Sequence, residues 1–332
     1  MAVTDHAFSL SAQGGNYLKK GEWLGAVSYR WLHANQLFVG SDQLPLFDPL
    51  EYREFHFIDV NATYMMTKRF SLGLTLPFKH AESYMTYEHD FKNYHRMTAG
   101  GLGDVRLVGH WWLLDPAKQT ESVAKYQNIG VGLGVQFPTG DYKATDIAYR
   151  DTGPVLRPVH PSLQPGTGGW GVILELDAFR ELFENAFVYL SGSYLISPRE
   201  VNGVEMTIGD LPIPDAINDG TITSVPDTYV GRVGFSYAIW PKQGLSLSLG
   251  ARVEGIPVHD LVGGSDGYRG AGYVVSIEPG FAWSRGRNTI TVSAPVAIER
   301  NRQASVPNRR AGVHYGADFS DFFIQAAYIR RF

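Results

Sequence analysis

The last twelve residues, Asp321-Phe-Phe-Ile-Gln-Ala-Ala-Tyr-Ile-Arg-Arg-Phe332, decide how the rest of the chain is read. Phe322, Ile324, Ala326 and Tyr328 recur every second position, with Phe323, Gln325, Ala327 and Ile329 between them. Two-residue spacing puts each set on one face of a strand. The chain then stops on an aromatic, Phe332. A closing strand with a terminal aromatic is the ending of a bacterial outer-membrane barrel, where Tyr328 and Phe332 would be read by the assembly machinery. The buried last strand of a soluble β-protein is the alternative.

Working outward, the same alternation returns along the chain. Trp23, Gly25, Val27, Tyr29 and Trp31 alternate with Ala26, Ser28 and Arg30, and Ile58, Val60, Ala62 and Tyr64 with Asp59, Asn61 and Thr63. The cleanest run sets Phe70, Leu72, Leu74, Leu76 and Phe78 against Ser71, Gly73, Thr75, Pro77 and Lys79. In one later run, Ile129, Val131, Leu133 and Val135 alternate with Gly130, Gly132, Gly134 and Gln136. This period marks strands with one apolar face. Connections alternate between short turns, such as Thr67-Lys68-Arg69 and Pro241-Lys-Gln-Gly244, and long polar loops, such as 80–103 and 198–226. Short periplasmic turns and long extracellular loops are the asymmetry of an outer-membrane barrel.

Strand parity then constrains the ending. Taking Ala311 to Ala317 as a strand would give thirteen and leave Phe332 on the outer side. Single-chain bacterial barrels have even strand counts, so Arg300 to Asp321 is assigned to the last extracellular loop. The expected fold is an all-β, transmembrane, antiparallel up-and-down barrel of about twelve strands. Residues 21–332 form it, and residues 1–20 are a periplasmic lead-in or small plug.

Composition agrees. Among 332 residues there are 37 Gly, 18 Tyr, 18 Phe, 7 Trp and no Cys, and only 19% are charged. Such a chain suits many strands and turns, and no disulfide or thiolate metal site can form. A net charge of −4 leaves no footprint for nucleic acid. No apolar run is long enough for a transmembrane helix. The Met1-Ala-Val-Thr-Asp-His6 start lacks the basic and apolar regions of a signal peptide, so an exported protein is expected here as its mature chain with an added Met. Trp23, Trp31, Trp111, Trp170, Trp240 and Trp283 fall near strand ends or on the apolar face, as interfacial girdles require.

Several phrases occur together in order: LTLPF at 74–78, GLGDVRL at 101–107, GVQFPTGDY at 134–142, PVAIERNRQASVP at 295–307 and the ending YIRRF. In this combination the chain resembles the outer-membrane transporters of the phenol-degradation MetA-pathway family. The resemblance covers most of the chain and implies a barrel that passes small, hydrophobic or aromatic solutes.

The alternation sends Asp59, Asp104, Glu175, Asp177, Glu254, Glu278 and Glu299, with Lys79, Arg106, His110, Arg232 and Arg252, toward the lumen. Charges facing lipid would cost roughly 2–4 kcal/mol each at the midplane for Arg and Lys. Such a lining either selects solutes or pairs across a narrow barrel and fills it, and the second reading is favoured. Asp104 and Asp141 read as turn caps. Asp215, Asp219, Asp227, Asp260 and Asp266 read as loop acids without calcium-loop spacing. No hydrolase, phosphate-loop or metal motif organises the ten His. The sequence therefore points to no enzyme, no cofactor and no metal. The expected contacts are membrane lipid, lipopolysaccharide, the assembly machinery and an unidentified small solute, in the outer membrane of a Gram-negative bacterium. A surface-interaction barrel, with loops such as 211–215 and 306–310 as contacts, is the alternative, and an outer-membrane lipid hydrolase or peptidase stands behind both.

Overall fold

The computed structural model describes residues 18–46, 50–115, 126–205 and 222–332. Twelve antiparallel strands close on themselves. They are β1 (Trp23–Ala34), β2 (Tyr52–Met65), β3 (Phe70–Met85), β4 (His95–Leu102 and Arg106–Trp112), β5 (Gln127–Gln136) and β6 (Gly171–Phe183). The rest are β7 (Ala186–Ile196), β8 (Thr228–Trp240), β9 (Leu245–Ile256), β10 (Gly272–Arg285), β11 (Asn288–Ser293 and Val296–Arg302) and β12 (Phe323–Arg331). Each strand pairs with its neighbours in sequence, and β12 closes on β1 over nine residue pairs from Leu24↔Arg331 to Leu32↔Phe323. Closure removes the open edges that a transmembrane sheet cannot leave in lipid.

The terminal residue takes part in the closure. The Phe332 backbone N–H donates to the Trp23 carbonyl at 2.9 Å. A Cβ added at Gly25 would come 3.3 Å from the Phe332 ring, so the glycine leaves that ring its place on the outer wall.

Outward positions along the strands are apolar and exposed, including Val27, Ile58, Leu74, Leu133, Leu176, Val233, Leu249 and Phe281. In a soluble protein this would be an unmanageable apolar surface. On a barrel it is the lipid-facing belt, about 25 Å tall. Trp23, Trp111, Trp240 and Trp283 stand at the turn-side ends, with Trp31 and Trp170 at the loop-side ends. The seventh tryptophan, Trp112, turns inward and is buried.

Several strands run past the positions read from sequence. The stretch 80–103, read as a loop, instead extends β3 to Met85 and supplies the first segment of β4. Outward Glu82 and Arg96 keep this part wet, so the apolar alternation that marks the belt stops before the hydrogen-bonded ladder does. Likewise, 300–302 belongs to β11. The rest of that loop carries a short helix, Val306–Arg310, and a strand, Ala317–Phe319, that pairs with Gln36–Val39 outside the barrel sheet. Among the described residues, the loops also carry three antiparallel pairs, Gln36–Val39 with Asp42–Leu44, Thr145–Arg150 with Gly153–Pro158 and Val201–Glu205 with Ile222–Ser224.

Candidate solute pathway through the barrel

The interior is layered. At the turn-side mouth, Met65, Trp112, Phe179, Phe187, Tyr189 and Ala282 form a buried apolar cluster, and Leu18 of the lead-in packs against it. Of the lead-in expected over 1–20, residues 1–17 lie outside the described residues. At the loop-side mouth, Ala34, Phe55, Ala81, Met97 and Ala99 of the wall close around Ala148, Val159 and Leu163 of the 137–170 loop. Between the two apolar closures lies a polar belt.

That belt gathers most of the charges expected in the lumen. Arg232 Nε donates to Glu278 Oε2 at 2.9 Å, and both side chains are buried. Arg252 Nη2 donates to Glu254 at 2.6 Å and stacks on Phe323 at 5.1 Å. Arg30 lies 4.3 Å over Phe57. His110 Nε2 sits 3.2 Å from Asp177 Oδ2. Asp59 is buried on the same inner face, and Glu175 stands two residues from Asp177. Lys79 donates to the carbonyls of Ser162 and Gln164, the latter at 2.9 Å, which ties the loop-side closure to β3. Burial of unpartnered charge would be costly, and these pairings offset that cost.

The glycine face of β5 explains how such bulky groups fit. A Cβ at Gly130 would meet the His110 ring at 2.3 Å, and one at Gly132 would meet Glu175 at 2.8 Å. Alternating glycines thus clear floor space for the side chains of β4 and β6.

Glu299 departs from the expected lining. The pairing of β10 with β11 runs Val275↔Glu299 and then Ser276↔Ala297, so Ile298 is an extra residue. This bulge shifts the alternation by one. Glu299 is therefore exposed on the outer wall, where it accepts a hydrogen bond from the Tyr273 hydroxyl at 2.7 Å. Nothing in a two-residue pattern reveals a one-residue insertion of this kind.

The space left inside the polar belt is a cavity of ≈ 30 Å³ lined by Asn61, Thr75, Arg106, His110, Glu175 and Ser193, among others. Among the described residues, the two apolar closures narrow the axial route at both mouths.

The wall itself is discontinuous at one height. β4 bulges over 103–105, where Gly103 N–H still donates to the Pro77 carbonyl at 2.7 Å and Phe137 N–H to the Val105 carbonyl at 2.8 Å; above Phe137 neither β5, which ends at Gln136, nor β6, which begins at Gly171, continues. Above this level the Thr145–Pro158 hairpin stands where β5 and β6 would continue, yet no ladder joins it to β4. Side chains make the junction: Thr98 N–H donates to Asp146 Oδ2 at 2.7 Å, and the His95 and Tyr149 rings stack at 4.0 Å.

Asp104 fastens the break. Its Oδ1 accepts from Gly140 N at 3.0 Å, while Oδ2 accepts from Thr167 N at 2.8 Å and Thr167 Oγ1 at 2.7 Å. The Gly140 and Gly166 backbones touch so closely that a Cβ on either would come within 2.7 Å of the other. Sequence reading expected Asp104 to cap a local turn. It instead spans three segments far apart in the chain. From here Gln136 reaches Asp104 at 3.4 Å and accepts from Arg106 Nε at 3.2 Å, linking the fastening to the cavity wall.

On the outer side, the break is bordered by exposed Leu102, Val135 and Trp170, with Phe137 packed edge-on against Trp170 at 5.1 Å.

Neither a protein-family model nor a curated protein matches the chain. Solved structures do. An outer membrane channel from Pseudomonas putida F1 superposes with a TM-score of 0.62 at 15% identity, covering 100% of both chains. A TodX deltaS2S3 mutant, a monoaromatic hydrocarbon channel, gives 0.47 at 10% identity over 99% of this chain and 93% of that one. The translocator domain of the autotransporter NalP from Neisseria meningitidis gives 0.45 at 12% identity over 100% of both chains. The last two, alike in score, do not separate one use of a barrel from another. What the first shows is that this chain has the twelve-stranded fold of an outer membrane channel.

Proposed function

We propose that this chain is an outer-membrane channel for small hydrophobic or aromatic solutes, which leave the barrel sideways through the break in β4, β5 and β6. The observation that carries the reading is that break. Along the axis the described residues leave a cavity of ≈ 30 Å³ between two apolar closures, whereas above Phe137 no ladder joins the Thr145–Pro158 hairpin to β4 and side chains make the junction. Apolar Leu102, Val135 and Trp170 border the outer side, which suits a solute passing into lipid and disfavours an ion. The Pseudomonas putida channel with the same fold supports the direction of the proposal.

In this reading the paired charges of the lumen hold the wall in shape and do not filter solutes. Residues 1–20 act as lead-in to the barrel of 21–332, with Leu18 against the turn-side cluster. Phe332 and Tyr328 are the contacts offered to the assembly machinery. The reading contains no enzymatic step.

The chain has no cysteine, so a lock can be introduced cleanly. Joining Asp104→Cys to Thr167→Cys should abolish uptake of a small aromatic hydrocarbon by cells carrying the protein, and a reductant should restore it. Planar bilayers should show no steady ion conductance in either state. Uptake that is indifferent to the lock would sink the lateral route.

A further inference from the structure

Outside the pathway, the outer wall of β1 to β4 carries a polar and aromatic patch at the loop-side edge of the apolar belt. His33, Glu54 and His80 each stand ten residues along their strands from Trp23, Tyr64 and Phe70 of the turn-side aromatic rim. A membrane strand spans about 9–11 residues, so this row meets the headgroups of the outer leaflet.

The side chains there are already organised. Glu54 bridges two imidazoles, His33 Nδ1 at 3.2 Å and His56 Nε2 at 3.0 Å. The Tyr29 hydroxyl sits 2.7 Å from His56 Nδ1. Glu82 accepts from the Tyr52 hydroxyl at 2.9 Å and lies 3.6 Å from Arg96. Flat rings continue across the strands, with Tyr52 5.6 Å from Tyr84 and Tyr84 stacked on Tyr94 at 5.2 Å. At the same height, β7, β8 and β10 offer the tyrosines Tyr194, Tyr229 and Tyr273 in place of these imidazoles. The patch is therefore local, and an interfacial aromatic rim alone does not account for its carboxylates, imidazoles and guanidinium.

We propose that this face binds the phosphorylated glucosamine headgroup of the outer-leaflet glycolipid. Aromatic faces pack against the C–H surface of sugar rings, while carboxylates accept from hydroxyls and imidazole N–H groups donate to them. Arg96, exposed and only loosely held by Glu82, is the donor placed for a phosphate oxygen. Glu82 lies beside Arg96, and Glu54 sits between His33 and His56 as the acceptor for sugar hydroxyls, two strands away from the phosphate donor. Continuity with the lipid-facing belt below fixes the occupant as a lipid, and the hydroxyl-directed chemistry selects a sugar headgroup over a glycerophospholipid.

The proposal rests on the outer-membrane reading, and the test separates the two. Detergent-purified protein would be titrated with lipid A and, separately, with phosphatidylethanolamine, counting bound lipid by native mass spectrometry. Wild type should retain lipid A, while Glu54→Ala/His56→Ala and Tyr84→Ala/Arg96→Ala should lose affinity about tenfold, equivalent to ~1.4 kcal/mol. Phosphatidylethanolamine binding should be weak and equal in all three, and anomalous gel migration of unboiled samples would confirm that the variants are folded. Folded variants that hold lipid A as wild type does, or a wild type that prefers neither lipid, would overturn the site. A wild type that stays soluble without detergent would overturn the membrane reading itself.

Discussion

Asp104 and Thr167 meet across the broken wall: one carboxylate oxygen receives both the backbone N–H and the hydroxyl of a residue on the opposite side of a long loop. Where a continuous ladder would supply two hydrogen bonds at every second residue pair, this oxygen supplies the closure. Asp104→Ala should leave the barrel folded but cost about 1–3 kcal/mol of stability, because it orphans the buried Gly140 and Thr167 donors. Hydrocarbon uptake should rise. The check is the urea midpoint together with uptake by cells, and a midpoint equal to wild type would dismiss the fastening.

The glycine floor of β5 should be intolerant. Gly130→Ala drives a methyl into the His110 ring, and overpacking of this sort costs about 1–3 kcal/mol. Gly192→Ala, whose Cβ would stand 3.5 Å from its nearest neighbour, is the tolerated control. Comparing the temperatures at which the unboiled bands lose their anomalous migration would rank the two.

Arg232 and Glu278 should behave as a unit. Glu278→Gln leaves a buried guanidinium without its countercharge and should destabilise by about 3–5 kcal/mol, whereas Arg232→Met/Glu278→Leu should sit much closer to wild type. A double-mutant cycle in urea measures the coupling. Single variants as stable as the double would remove the pair from the account.

Acid should loosen the loop-side closure. Burial depresses His160 to about 3 and His89 to about 4. Both are neutral in the folded protein but take up protons near pH 6.5 when released. The unfolded state therefore binds more protons as pH falls below 6.5, so stability rises with pH through this window. The contribution is complete above pH 6.5 and is lost progressively toward the two folded values. His160→Asn/His89→Asn should flatten the change in midpoint between pH 7.5 and pH 5. An unchanged slope would place the acid sensitivity elsewhere.

Deleting Phe332 removes a backbone hydrogen bond to Trp23 and an exposed ring. Refolded protein should lose less than about 1.5 kcal/mol, while the amount reaching the outer membrane in cells should fall several-fold. Equal membrane levels would end its role as an assembly signal.

The architecture was legible because a closed barrel writes itself into the chain twice, as a two-residue period and as an alternation of short and long connections. Trp23 to Trp31, Phe70 to Phe78 and Ile129 to Val135 all point as their spacing says, and the even strand count placed Phe332 correctly on the turn side. The wet ends of β3 and β4 escaped notice because outward side chains there meet water or headgroups and need not be apolar. Glu299 escaped because the bulge at Ile298 is stored in the hydrogen-bond register. The outer-wall imidazoles of His33, His56 and His80 were three of ten scattered histidines until pairing laid Trp31, His56 and His80 in one row.

By itself the sequence determined a barrel of about twelve strands, its closing strand and the inward course of most of the charges assigned to the lumen, since side-chain alternation is a local property of an extended backbone. Only the tertiary structure decided whether that interior is a passage. The two apolar closures, the cavity between them and the fastening of Asp104 to Thr167 join residues tens of positions apart, and no spacing rule reaches across a loop of that length. The ending that announced the fold is a seam sealed by ladder hydrogen bonds; the break proposed as the exit lies across the barrel, where no ladder joins the Thr145–Pro158 hairpin to β4.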